Sequence, residues 1–271
     1  PDIDTMLYTL SDRIDRDQGW GVADEGRRAL DVLNELGEDT WMFLGDRDFG
    51  LHIYRTARLK RGDRPSDITA DIAKQFGIAV RLLLPTDDRV QTRVRTDTGW
   101  LSFQAYFVRE RCTPEVLELR YDGIENARPT PEALSAIESA DLIVIAPSNP
   151  LVSIAPILCV KGVRAAVQAA PAPVVAVSPL IAGKVIKGPA DRMLASLGHR
   201  ADALGIAEFY RGTVDQLVLD HRDHQLAPDI EALGITPIVS DILMPDRSEK
   251  ARLARDVVRC LARREAAGQT V

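Results

Sequence analysis

Cysteine is scarce in this chain. Cys112, Cys159 and Cys260 are far apart and odd in number. They form neither a disulfide framework nor a metal-ligand spacing, which points to a reducing cytoplasm. A surplus of positive charge is also missing. The formal net charge of −6 excludes a general polyanion-binding surface, so no nucleic acid is expected as a partner, while 34 basic residues leave room for a local phosphate site. No apolar run approaches membrane-spanning length and no secretory hydrophobic region is visible, so no membrane partner is expected. No Gly-x-Gly-x-x-Gly follows any apparent strand, which argues against a dinucleotide-dependent oxidoreductase. An initiator methionine is absent as well. Pro1-Asp-Ile-Asp4 runs straight into structured-looking sequence, and the numbered chain is expected to begin inside a longer protein.

What is present is ordinary for a globular protein. The 271 residues, 45% hydrophobic and 27% charged, suit one large domain or a core with an insert. The most informative stretch is Asp141-Leu-Ile-Val-Ile-Ala-Pro-Ser-Asn-Pro-Leu-Val-Ser153. Leu142 to Ala146 reads as a strand buried on both faces. Pro147 to Pro150 then break it, and Thr130, Pro131 and Glu132 open a preceding helix that runs to about Ser139. In open parallel sheets ligands bind at the carboxyl ends of strands. Backbone N–H groups with the Ser148 and Ser153 hydroxyls suit a phosphate there, although the composition also fits an ordinary strand-to-helix turn.

In chain order, residues 5–10 read as a helix. Asp2 and Asp4 at its start either complement the helix dipole or chelate a hard cation. Residues 24–77 read as three helices. Leu30, Leu33 and Leu36 mark one face, Asp46 or Asp48 caps the second helix, and Ser66 caps the third. His52 within the second helix stays unassigned. Val80–Leu84 is a strand candidate, followed by a loop with Thr86, Asp87 and Arg89. Val90–Arg95 and Trp100–Val108 alternate around Asp97-Thr98-Gly99 as a hairpin, and Val116–Tyr121 is another strand. Strands follow at 174–177, 217–219 and 238–239, and a last helix starts near Asp246 or Ser248. The fold expected is therefore α/β. It is a Rossmann-like, doubly wound, mainly parallel sheet in three αβα layers over 1–23 and 78–271, with a small all-helical insert over 24–77. Its strand-end loops carry Ser148, Asn149, Ser178, Lys184, Lys187, Asp220 and Asp241, a set suited to a phosphorylated ligand with a divalent ion.

Seven segments occur together in order: Pro1-Asp-Ile-Asp-Thr-Met-Leu-Tyr-Thr-Leu10, Gly19-Trp-Gly21, Leu44-Gly-Asp-Arg-Asp48, His52-Ile-Tyr-Arg-Thr56, Pro85-Thr-Asp-Asp-Arg89, Ala146-Pro-Ser-Asn-Pro150 and Ser178-Pro-Leu-Ile181. The set resembles the 2-phospho-L-lactate transferases of coenzyme F(420) biosynthesis, and most closely the actinobacterial type that uses a phosphoenolpyruvyl donor. The resemblance implies transfer of that group, or of 2-phospho-L-lactyl, from a guanosine diphosphate-linked donor to the deazaflavin Fo. GMP leaves, and Mg2+ is required. It also implies Asp4 as a catalytic metal ligand with Asp2 beside it. Ser148, Asn149, Pro150 and Ser153 are expected on the nucleotide or diphosphate, and Thr86, Asp87 and Arg89 near Fo or the phosphates. A cytoplasmic homodimer is expected. The family's glycine-rich first strand and its Gly-Asp-Asp segment both lie upstream of the position matching Pro1. The competing expectation is a non-catalytic nucleotide-sugar-binding regulator of the same wider fold group.

Overall fold

The computed structural model describes the backbone of residues 2–268 and the side chains of residues 3–259. The chain forms two compact units, Pro1–Asp87 and Asp88–Val271.

The first unit is helical: α1 (Asp2–Leu10), α2 (Arg28–Glu35), α3 (Asp46–Lys60) and α4 (Pro65–Gln75). Leu7 of α1 buries against Ile68, Ile72 and Ala73 of α4, and Leu82 closes the same cluster. Residues 1–23 and 78–87 were expected with the sheet core. They lie in the helical unit instead, because this cluster needs Leu7 and Leu82. Val80–Leu84 forms no ladder. Val80 is exposed and Leu82 buried, so Leu82 serves the helices rather than a sheet.

Two of the helices are capped from a distance. α3 begins after Gly45, which has no side chain to cap with, and Glu25 accepts from the N–H groups of Arg47 (3.0 Å) and Asp48 (3.2 Å). Asp46, an expected cap, instead accepts from the Ala29 N–H at 2.9 Å. Asp87 caps α4, accepting from the Ser66 N–H at 2.8 Å and the Ser66 hydroxyl at 2.6 Å. Ser66 was the expected cap; here it is the residue being capped, because α4 already begins at Pro65.

The second unit opens with an antiparallel sheet of order β2-β1-β3: β1 (Gln91–Thr96), β2 (Gly99–Ser102) and β3 (Glu118–Asp122). The hairpin around Asp97-Thr98-Gly99 is present. Its second strand stops at Ser102 rather than running to Val108. Ser102 Oγ accepts from the Ala105 N–H at 3.1 Å, and Ala105–Arg109 winds into a π-helix that buries Tyr106.

Then come α5 (Pro131–Glu138), capped as expected by Thr130 Oγ1, and β4 (Ile143–Ile145). A π-helix at Pro150–Ile154 leads into α6 (Ala155–Leu158) and α7 (Val163–Ala169). The rest of the unit is β5 (Val174–Val177), the hairpin β6 (Leu180–Ile181) and β7 (Lys184–Val185), α8 (Ala190–Ser196), α9 (Ala203–Tyr210), β8 (Gln216–Asp220), α10 (Ala227–Ala232), β9 (Thr236–Ser240) and α11 (Arg247–Gly268). Four of these strands pair in parallel in the order β4-β5-β8-β9.

Both faces of this sheet are covered. Val174 and Ala176 of β5, with Leu217 and Leu219 of β8, face the large core beneath α8, α9 and α10. Val175, Val177 and Val218 face Leu253 and Val257 of α11. That is a Rossmann-like α/β arrangement in three layers. β4 differs from its expected double burial. It stands at the sheet edge among the described strands, and Val144 is 46% exposed, so β5 is the fully buried strand.

Candidate functional site

Because β4, β5, β8 and β9 are parallel, their carboxyl ends share one edge of the sheet. Ligands meet such sheets at that edge. Each strand end there is held by a side chain. After β4, Asn149 Oδ1 accepts from the Leu151 N–H at 2.9 Å and more weakly from the Val152 N–H at 3.4 Å, starting the π-helix whose first residue, Pro150, has no N–H to satisfy. After β5, buried Ser178 bonds both the carbonyl (3.0 Å) and the N–H (3.1 Å) of Leu180. After β8, fully buried Asp220 accepts from the Arg222 N–H and Nη1, each at 3.0 Å, and from the Ile242 N–H at 3.3 Å. After β9, Ser240 Oγ donates to Asp256 and Arg252 donates to the Asp241 carbonyl. Burial pushes the Asp220 pKa up, and these N–H bonds with nearby positive charge more than reverse it, so the carboxyl stays below its ordinary range.

Among the described residues, Ser148 Oγ, Ser153 Oγ and the Asn149 N–H make no bond within the chain, whereas the Ser148 N–H is spent on the Ala146 carbonyl at 2.7 Å. The Asn149 side-chain amide donates only to the soft Met193 Sδ at 3.5 Å. Lys184 lies 3.8 Å from Asp191, next to a tight hairpin turn in which Asp223 accepts from the Ala182 N–H at 2.9 Å. Ser148, Asn149, Pro150 and Ser153 are thus brought together at one strand end. Pro150 is buried and structural.

A second polar cluster lies in the helical unit. Asp4 and Tyr8, four residues apart, share a face of α1; Asp48, His52 and Arg55 share a face of α3. Both carboxylate oxygens of Asp4 are taken by the Arg55 guanidinium, and His52 Nε2 stands 3.7 Å away, too far for a hydrogen bond. The Tyr8 hydroxyl donates to Asp48 Oδ1 at 2.6 Å. Burial raises the Asp4 pKa, but His52 and Arg55 together outweigh it and hold it at about 2. Burial and then the Asp48 carboxylate push the Tyr8 phenol above its ordinary range. Arg55 was not assigned from sequence. The spacing of Asp48, His52 and Arg55 at i, i+4 and i+7 was the available signal.

The magnesium expectation meets a specific obstacle here. The Asp2 side chain lies outside the described residues, and the Asp4 carboxylate is already neutralised by a bidentate guanidinium. Among the described residues no three His, Cys, Asp or Glu side chains converge. A hard cation takes several oxygen ligands at once, and this residue set does not fit one. Of the remaining expected contacts, Asp87 is spent on the α4 cap and on Arg64 at 2.8 Å, and Thr86 is beside it in the first unit. Arg89 belongs to the second unit, where it bonds Gln91 at 3.2 Å.

The family model described as "2-phospho-L-lactate transferase CofD" matches residues 1–257. The chain belongs to the CofD family. This CofD-family chain is 37% identical over 262 residues to a "2-phospho-L-lactate transferase" of Methanococcoides burtonii, with 97% of the chain and 85% of that relative covered. It is 41% identical over 261 residues to a "Phosphoenolpyruvate transferase" of Kitasatospora aureofaciens, covering 94% and 81%. Among solved structures, protein BH3568 of Bacillus halodurans superposes with a TM-score of 0.56 at 15% identity, covering 79% of this chain and 72% of that one. That likeness bears on the fold alone. The CofD-family chain is accordingly a transferase. No single described helix is long and apolar enough to cross a membrane.

Proposed function

We propose that this CofD-family transferase moves a phosphoenolpyruvyl or 2-phospho-L-lactyl group from a GDP-linked donor to the deazaflavin Fo in coenzyme F(420) biosynthesis, in the cytoplasm and as a homodimer. A ribityl hydroxyl of Fo attacks the phosphorus bearing the donor group. The new P–O bond forms as the bond to the GMP phosphate breaks, GMP leaves, and the hydroxyl proton passes to a base. The observation that carries the reading is the pair of unspent donors, Ser148 Oγ and the Asn149 N–H, at the carboxyl end of a parallel strand. Neutral donors fixed beside a diphosphate favour charge that builds on its oxygens. Ser153, one turn on, and Lys184 extend the same edge, and Arg89 remains a candidate for contact with Fo or phosphate. Magnesium dependence rests on family likeness; no step here is routed through a metal. Asp4 is proposed as a group whose charge serves the reaction, released from Arg55 when ligands bind.

The test is a mass spectrum of the product after incubating the protein with Fo, magnesium and each guanylylated donor in turn. Fo gaining the mass of the phosphoenolpyruvyl or phospholactyl group, with GMP appearing in equal amount, supports the reading. Donor binding without any product from Fo would favour the non-catalytic regulator instead.

A further inference from the structure

The antiparallel sheet of the second unit has two unlike faces. Val94, Leu101, Phe103 and Leu119 pack into the main core, and Tyr121 on that side donates to the Leu151 carbonyl. In an antiparallel ladder directly paired residues point to the same side. The opposite face therefore carries, in successive rows, Gln91 with Asp122; Ser102, Arg93 and Arg120; and Trp100, Arg95 and Glu118.

The charges on this face do not balance. Arg95 pairs with Glu118 at 3.2 Å, and Arg120 pairs with Asp122 while its guanidinium reaches 4.7 Å from the Trp100 ring. Each carboxylate is thereby taken, and each is shared with an exposed arginine. Arg93, in the central strand and directly opposite both Ser102 and Arg120, pairs with no carboxylate among the described residues. Its Nε is buried with no hydrogen-bond partner among the described residues. Two guanidiniums facing each other across a ladder repel, and a half-buried cation without a partner is costly. A chain does not keep that arrangement for stability. Ser102 adds a donor: its oxygen already accepts from the Ala105 N–H at 3.1 Å, which leaves the hydroxyl proton free to donate outward.

We propose that this face is an oxyanion site, separate from the donor loop, in which Arg93 grips a phosphate or carboxylate group of a small ligand with Arg120 and Ser102 beside it. A planar guanidinium binds either group through two parallel N–H bonds. The site lies on the face of the sheet turned away from Tyr121 and the π-helix at 150–154, so it does not rest on the transferase reading.

The experiment is calorimetric titration of the full chain with inorganic phosphate and, separately, with acetate, at constant chloride and with GDP present to fill the donor loop. Arg93→Gln and Arg93→Lys are titrated in parallel, and melting temperatures are taken with and without each anion. The expected result is a saturable site in the wild type, weakened at least tenfold in Arg93→Gln and partly retained in Arg93→Lys. The anion should raise the melting temperature of the wild type but not that of Arg93→Gln. Phosphate alone binding assigns a phosphorylated ligand; both anions binding assigns the site to carboxylates as well. Identical isotherms for wild type and Arg93→Gln, or no saturable binding of either anion, would overturn the proposal.

Discussion

Asp4→Asn removes the one charge that Arg55 and His52 both face. Asp4 is 8% exposed and bound at both oxygens by Arg55; burial pushes its pKa up, and His52 with Arg55 outweighs that and holds it at about 2 instead of 3.8. At about 1.4 kcal/mol per tenfold change, that drop corresponds to about 2 kcal/mol of stability at neutral pH. The folded-state pKa is depressed, so the contribution is fully present above the ordinary aspartate pKa and is lost as the pH falls through about 2. The amide preserves shape but cannot carry the charge, and it leaves a partly buried guanidinium without its partner. Urea unfolding of the full-length protein should show a loss of about 2 kcal/mol at pH 7. The gap between wild type and variant should narrow steadily from pH 4 downward. A variant as stable as wild type at pH 7, or one whose deficit stays constant down to pH 2.5, would refute the claim that the Arg55 pair supports the helical unit. Turnover of the same variant reports separately on catalysis: a fall much larger than the unfolded fraction explains would place Asp4 in the reaction as well.

Ser148→Ala should raise the GDP dissociation constant while leaving Fo binding nearly unchanged, as read by calorimetry of each ligand. Asn149→Asp, which keeps the Oδ1 cap, should separate a binding role from the loss of about 1 kcal/mol expected of Asn149→Ala at a helix cap. Asp220→Ala should cost about 2 kcal/mol by denaturant unfolding, since it leaves the buried Ile242 N–H without its acceptor. With its pKa below the ordinary range, the Asp220 contribution should be present at neutral pH and disappear on acidification. Ala182→Gly should stabilise by about 1 kcal/mol, because Ala182 holds a φ of +48° beside Gly183 at +73°, a left-handed pair that glycine adopts without strain. A melting temperature that falls in Ala182→Gly would mean unfolded-state entropy outweighs the relief.

The elements that were legible from sequence are those whose signals are local. Thr130-Pro131-Glu132 predicted α5 because a cap, a first-turn proline and an acid act within one turn. The buried strand at 174–177 followed from four consecutive small or branched apolar residues between turn signals. The misreadings share a cause in long-range placement. Leu142–Ala146 looks more apolar than β5, yet burial depends on position in the strand order, and β4 stands at the edge. Val80–Leu84 is an apolar run like a strand but spends Leu82 on a helical cluster. Trp100–Val108 alternates only as far as Ser102, whose hydroxyl turns the chain into a π-helix. The strand-end loop that carries Ser148 and Asn149 was legible because an apolar run broken by Pro147 is a local signal. Arg55 on Asp4, Glu25 on α3 and Asp87 on α4 were not, since those partners are 51, 22 and 21 residues apart.

The way Asn149, Ser178, Asp220 and Ser240 finish their strands has an evolutionary consequence. Each strand end is tied by a side chain at or just beyond it, so those residues of each connection that stay out of the core are not needed to hold the sheet. They can be exchanged, lengthened or shortened without disturbing the register of β4, β5, β8 and β9. A protein built this way can change what it binds by altering loop chemistry alone. Its descendants would then differ most where they meet ligand and least in the scaffold that presents it.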